Sequence, residues 1–207
     1  MRNKKEPLAF CDVPVIILCG GKSSRMGEDK TLLPFGEYDS LIHFQFERLS
    51  VSFSNVYVSS KKHTFDFLDK NSSVILYDNE QTVHSPLIAL QSILKQLDAP
   101  KVCILTVDTP FVRINTLKLL IEKSDDYEIT IASTLERTHH LCGVFSQSLL
   151  ERIEHMLEQD IHKIGYLIKQ SHSQILKFEN EEEFLNLNTK DEYSKALQQL
   201  KTYQNCL

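Results

Sequence analysis

The chain has 207 residues, 42% hydrophobic and 25% charged, which suits one domain with ample length for a core. A net charge of −5 argues against a general nucleic-acid binder, and no apolar run approaches the length of a membrane span. Five scattered cysteines without a C-x-x-C pair suggest neither a zinc site nor a disulfide framework.

Residues 1–12 lack the apolar h-region of a signal peptide and read as a flexible extension, leaving 13–207 as a single domain expected in the cytoplasm. The run Val15-Ile16-Ile17-Leu18 reads as a buried strand. Beyond a polar loop, Ile42, Phe46, Leu49 and Phe53 are spaced four, three and four apart, which predicts a helix over 41–53. Strands are expected over 55–59 and 74–76, and a helix over 86–97 with Pro86 in its first turn. The continuous apolar run 102–107 has the character of a strand covered on both faces. A helix over 115–123 and strands over 128–132 and 141–145 follow. Ser148 is expected to cap a helix over 149–158, with a further helix near 161–170, a strand over 174–178 and a closing helix over 190–200. The run Glu179-Asn180-Glu181-Glu182-Glu183 reads as a solvated turn. This alternation predicts an α/β fold of three layers, with a mostly parallel central sheet between helices. In such sheets ligands bind beyond the carboxyl ends of the strands, so residues just after strands are the functional candidates.

The loop after the first strand, Leu18-Cys19-Gly20-Gly21-Lys22-Ser23-Ser24-Arg25-Met26-Gly27-Glu28-Asp29-Lys30, gathers three of the six glycines beside Lys22, Arg25 and Lys30. Glycines let backbone N–H groups approach an anion closely, and the cations balance a polyphosphate. The loop is not a P-loop, because Ile16 stands where the first glycine of G-x-x-x-x-G-K-[ST] belongs. Nor is it a dinucleotide loop, because Lys22 stands where G-x-G-x-x-G needs its second glycine. Asp108 comes directly after the strand over 102–107 and before Thr109-Pro110, at a strand edge where Mg²⁺ bridging a triphosphate would sit. Asp78 follows the strand over 74–76 and precedes a polar loop ending in Ser85-Pro86-Leu87-Ile88-Ala89. Taken alone, Asp108 is better read as an Asx-turn residue before proline, and a surface-turn carboxylate is a serious rival reading at Asp78.

Together, L-x-G-G-x-x-x-R-M-G-x-D-K, the Asp-Thr-Pro at 108–110, the Asp78 loop and Phe184-Leu185-Asn186-Leu187-Asn188-Thr189 resemble the molybdenum cofactor guanylyltransferases (MobA family), in matching order along the chain. The resemblance implies a Rossmann-like, glycosyltransferase-A-like nucleotidyltransferase fold. It implies transfer of GMP from GTP to the terminal phosphate of molybdenum-molybdopterin, with Mg²⁺ as cofactor and release of pyrophosphate. It further implies that Arg25, Lys30 and Asp108 are catalytic, that Asp108 holds the metal, and that Leu18, Cys19, Gly20, Gly21, Arg25, Lys30, Ser59, Asp78 and Asp108 contact the nucleotide. His139, with its neighbour His140, and Asn186 and Asn188 fall on the pterin side. Alternating apolar and amide residues at 185–188 fit an extended stretch with both amides on one face, and Thr189 can cap the last helix.

Three positions depart from the family pattern: Ser59 where an asparagine is usual, and Ser85 and Ala89 where glycines are usual. A hydroxyl cannot make a bidentate amide contact, which leaves base specificity open. A cytidylyltransferase acting on molybdopterin or another small phosphate is the nearest alternative, and a non-catalytic nucleotide-binding protein that delivers cofactor is a second. Partners implied by the resemblance include a molybdopterin-donating protein and molybdoenzyme apoproteins or their chaperones, with no nucleic acid and no membrane.

Overall fold

A computed structural model describes residues 13–20, 29–61, 65–68, 73–78 and 85–204, without side chains beyond 200. The strands are β1 (Val15–Leu18), β2 (Val56–Ser60), β3 (Ile75–Tyr77), β4 (Lys101–Thr106), β5 (Ile129–Ser133), β6 (Thr138–Ser146) and β7 (Ser173–Lys177). They form one sheet in the order β3-β2-β1-β4-β6-β5-β7. All pairings are parallel except those of β6, which runs antiparallel to both β4 and β5. The α/β architecture with a mostly parallel sheet is therefore as expected. The helices are α1 (Leu41–Ser50), α2 (Pro86–Gln96), α3 (Ile114–Glu122), α4 (Leu150–Glu158), α5 (Ile164–Lys169) and α6 (Lys190–Gln204).

Side chains alternate across the sheet with period two, and this separates two cores. Val15 and Ile17 of β1 and Cys103 and Leu105 of β4 face α1, α3 and α6, meeting Leu41, Leu49, Leu117 and Ala196. Ile16 and Leu18, with Val102 and Ile104, face the other way onto Leu87, Leu90, Ile153 and Leu167 of α2, α4 and α5. With both faces covered, β1 and β4 are apolar throughout, which is why they read as continuous runs rather than alternating ones. Each fully buried aliphatic side chain of this kind contributes about 1.5–3 kcal/mol.

Several local readings change: α1 ends at Ser50 rather than at 53, and α6 runs on to Gln204 rather than ending at 200. Ser148 is not the cap of α4: Ser146 caps a single 3₁₀ turn over Gln147–Leu149, its hydroxyl accepting from Ser148 N–H at 3.2 Å, and α4 continues from that turn. α5 begins at Ile164 rather than near 161, and its N-cap Lys163 makes no side-chain cap bond. β6 begins three residues before 141, so His139 and His140 belong to the strand. The acidic run is not a wholly solvated turn, since Glu183 is buried; its carboxylate accepts from Arg113 N–H at 2.9 Å and from the Thr116 hydroxyl. It thereby satisfies the N-terminus of α3, which has no capping side chain of its own.

Strand register brings the predicted residues to one edge. Leu18 lies opposite Ser59 on one side and Thr106 on the other. Beyond those positions, Cys19 N–H bonds Ser59 O at 2.9 Å, Val107 N–H bonds Leu18 O at 3.1 Å, and Asp78 N–H bonds Ser60 O at 3.2 Å. Ile104 pairs with Gly143, so the first residues of β6 run on past β4 and form a rim beside this edge. A Cβ at Gly143 would collide with the backbone of Thr130 and come within 2.7 Å of Ile131 Cα. The strand crosses there without one.

Candidate active site

Lys30 opens a 3₁₀ turn over Lys30–Leu32, and Asp29 caps that turn by accepting from Thr31 N–H at 3.0 Å. The Asp-Lys pair that closes the loop motif thus has a local division of labour: the aspartate fixes the turn and the lysine is presented by it. Lys30 Nζ lies 2.9 Å from Asp108 Oδ2 and 2.8 Å from Asn188 Oδ1. The Lys30 and Asp108 side chains are only 14% and 18% exposed, so screening by water is weak and the pairing is strong. Lys30 is thus a largely buried lysine rather than a solvated loop cation. Asp108 Oδ1 is buried and has no hydrogen-bond partner among the described residues.

The 184–189 segment is not the extended run its alternation suggested. Asn188 N–H bonds Asn186 O at 3.2 Å, closing a tight turn over Leu187, and Leu187 N–H bonds Asp108 O at 2.9 Å. The turn swings Asn188 onto Lys30 and leaves Asn186 off that contact. Leu187 is buried while Leu185 is half exposed, so only one of the two leucines anchors the segment. Thr189 is the cap of α6. Glu192 N–H donates to the Thr189 hydroxyl at 3.2 Å, and Glu192 Oε2 accepts from Thr189 N–H at 2.8 Å, a reciprocal capping box.

Two connected clefts lie along the edge. The smaller, about 40 Å³, is bounded by Gly20, Lys30, Thr106 and Asp108. The larger, about 220 Å³, runs between Leu18, Cys19, Gly20, Lys61, Asp78 and the start of α2. Gly20 borders both. Its φ of +144° is one that side chains rarely adopt, and a Cβ there would meet no described atom within 4 Å. The chain turns at Gly20 with its backbone open to the cleft.

Asp78 is 6% exposed, and burial raises its carboxyl above the ordinary range against the opposing pull of Lys61 and Ser59. Ser59 is not among the residues lining the cleft; its hydroxyl donates to Asp78 Oδ1 at 3.4 Å. Ser85 has an ordinary extended backbone (φ −134°) and caps α2 by accepting from Leu87 N–H, so glycine is not required there. Ala89 is buried in the cleft wall.

His139 lies on the rim, away from both clefts. Its ring stacks on Phe184 at 4.4 Å with a 21° interplanar angle, and Nε2 is 3.4 Å from the Thr134 hydroxyl. Burial, with Arg137 acting in the same direction, lowers its pKa from 6.5 to about 4. The unfolded chain takes up this proton near pH 6.5, whereas the folded chain resists it until about pH 4. Stability present above pH 6.5 is therefore lost as pH falls through 6.5 toward 4. His139→Phe, which keeps the stack, should flatten the melting temperature profile over that interval; an unchanged acid slope would assign the loss to other groups. His140, on the opposite face of β6, is exposed beside Gly165.

Gly21 and Arg25, and Lys22 with them, lie outside the described residues. Among the described residues no three carboxylate, cysteine or histidine groups cluster as a metal site. Lys61 and the buried Glu183 were missed in the sequence. Lys61 directly follows β2 and could have been found by the same after-strand rule that found Asp78 and Asp108. Glu183 could not, because its partners lie about seventy residues away in sequence.

A family model described as a MobA-like NTP transferase domain matches residues 15–175. A molybdenum cofactor guanylyltransferase of Campylobacter jejuni subsp. doylei is 41% identical over 187 residues, covering 90% of this chain and 96% of that protein. One from Helicobacter pylori J99 is 32% identical over 199 residues, covering 94% and 92% respectively. Among solved structures, the molybdopterin-guanine dinucleotide biosynthesis protein A of Archaeoglobus fulgidus superposes with a TM-score of 0.76 at 20% identity, covering 92% of this chain and all of that one. At that identity the likeness is one of fold.

Proposed function

This chain belongs to the MobA-like NTP transferase family, and on that footing we propose that it transfers GMP from GTP to the terminal phosphate of molybdenum-molybdopterin. The observation that carries the reading is the Lys30–Asp108–Asn188 cluster, set beside a nucleoside-sized cleft at the carboxyl edge of the sheet. In the reaction an acceptor phosphate oxygen bonds the α-phosphorus of GTP, and the bond from that phosphorus to the bridging oxygen breaks, releasing pyrophosphate. A phosphate monoester is already ionised near neutral pH, so no general base is required. The protein must position the two phosphates in line and offset their charge.

The larger cleft takes the nucleoside, with Asp78 as a hydrogen-bond acceptor and Lys61 beside it. The smaller cleft takes the phosphates, with Lys30 and Gly20 at its wall; Gly21 and Arg25 of the loop motif are assigned to the same phosphates by the family pattern alone. Asp108 fits a divalent cation: one carboxylate oxygen is satisfied by Lys30 and the other is buried without a described partner. Mg²⁺ is commonly held by one or two carboxylates plus phosphate oxygens and water, and when bound it neutralises those oxygens. Three described cysteines, Cys19, Cys103 and Cys142, are buried and free, which suits the reducing cytoplasm we assign. Among the described residues no helix is long and apolar enough to cross a membrane.

Thermal-shift titration with GTP, CTP, ATP and UTP in the presence of Mg²⁺ tests the nucleotide. GTP should give the largest rise in melting temperature, by mass action on the folded state. A larger rise with CTP would move the chain to the cytidylyl branch. On the acceptor side, Asn186→Ala should raise KM for molybdopterin about fivefold, the effect of one lost neutral hydrogen bond, with KM for GTP unchanged. Asn188→Ala should lower kcat as well, because it removes a contact to Lys30. Lowered melting temperatures with both KM values unmoved would assign the two amides to the turn alone.

A further inference from the structure

The turn that presents Asp108 is gripped from α1 by two side chains outside every loop motif. Gln45 is fully buried, and its amide nitrogen lies 3.4 Å from Val107 O and 3.2 Å from Thr109 O, the carbonyls on either side of Asp108. Its amide oxygen accepts from Arg48 Nε at 3.2 Å and Nη2 at 2.6 Å, while Arg48 Nη1 donates to Val112 O at 2.6 Å. Backbone carbonyls only accept and a guanidinium only donates. A neutral amide serves both at once without adding a charge. Glutamate would turn an oxygen toward two carbonyls, and an aliphatic side chain would leave buried donors and acceptors unmet. From the other side, Leu187 N–H holds Asp108 O itself.

Building on the guanylyltransferase reading, we propose that Gln45 is a positioning residue. With Arg48 it fixes the 107–112 turn so that the Asp108 carboxylate meets both Lys30 and the cation carried by the triphosphate. The metal and the phosphates never touch Gln45; its effect reaches them through Asp108. A loosened turn misplaces one carboxylate, which weakens charge stabilisation more than nucleotide binding.

The test compares Gln45→Met, Arg48→Lys and Asp108→Asn, singly and with Gln45→Met added to Asp108→Asn. Gln45→Met should lower kcat about tenfold with KM for GTP within about twofold, because misplacement acts mainly in the transition state. Mn²⁺ binding in the presence of GTP, read by calorimetry, should weaken severalfold. In the Asp108→Asn background Gln45→Met should add little further loss, as expected of residues acting as one unit. A lowered melting temperature with kcat and Mn²⁺ affinity intact would overturn the proposal, as would losses that multiply in the double variant. Should Gln45→Met fail to fold, Arg48→Lys, which keeps the charge but loses the fork, decides by the same readings. A parent protein that transfers no GMP counts against the guanylyltransferase reading, and Mn²⁺ affinity then still decides the role of Gln45.

Discussion

Asp108→Asn is expected to preserve the fold and lower guanylyl transfer by about a hundredfold or more, the scale set by loss of a central electrostatic contact. The amide keeps the size of the carboxylate, and its oxygen can still accept from Lys30. The backbone bond from Leu187 N–H to the carbonyl of residue 108 is untouched, so the turn stays anchored. What disappears is the negative charge and with it the buried oxygen that has no described partner, Oδ1. The check is kcat measured across a Mg²⁺ titration beside a melting curve. Near-parental activity at low Mg²⁺ would place the metal role on another residue.

Lys30→Ala should reduce transfer on the order of a hundredfold to a thousandfold, since a preorganised cation facing the phosphates is removed. Unlike an exposed lysine, this one should also cost stability. Truncation strips Asp108 of its ion partner and Asn188 of its donor in a largely buried setting. Breaking a fully buried pair costs about 3–5 kcal/mol, and the residual exposure of this one lowers the expectation to about 1–3 kcal/mol. The double variant Lys30→Ala/Asp108→Asn should recover part of the lost melting temperature, because the stranded charge is gone. Lys22 falls at a variable position of the loop pattern, and Lys22→Ala is expected to be mild in both measurements. Equal activity losses for the two lysines would mean that only bulk loop charge matters, and the residue-by-residue reading of the loop would fail.

Apolar patterning, with a few proline and capping signals, placed each of the seven strands and six helices among the described residues to within a few residues. The reason is physical: β1 and β4 are covered on both faces and must be apolar throughout, while α1 and α2 bury one stripe and show it in their spacing. The after-strand rule likewise found Asp78 and Asp108, because in a parallel sheet the carboxyl ends share one edge whatever the loops do. The misplaced boundaries, among them the cap at Ser148 and the starts of α5 and β6, are all ends of elements, and the last residue of an element leaves little trace in a pattern of apolar residues.

Only the folded chain could show that Lys30, Asp108 and Asn188 meet, since 78 and 158 residues separate the lysine from its two partners. The same holds for Gln45, a polar residue at helical spacing between Ile42 and Leu49, whose meaning depends on carbonyls more than sixty residues away. Glu183 reads as one more acid in an acidic run until the sheet brings the start of α3 against it, where bare N–H groups make a buried carboxylate favourable. Local chemistry is written in neighbours along the chain, and so the strands and the helices were legible. Charge pairing, burial of polar groups and the aim of a carboxylate are set by neighbours in space, which tertiary packing alone supplies.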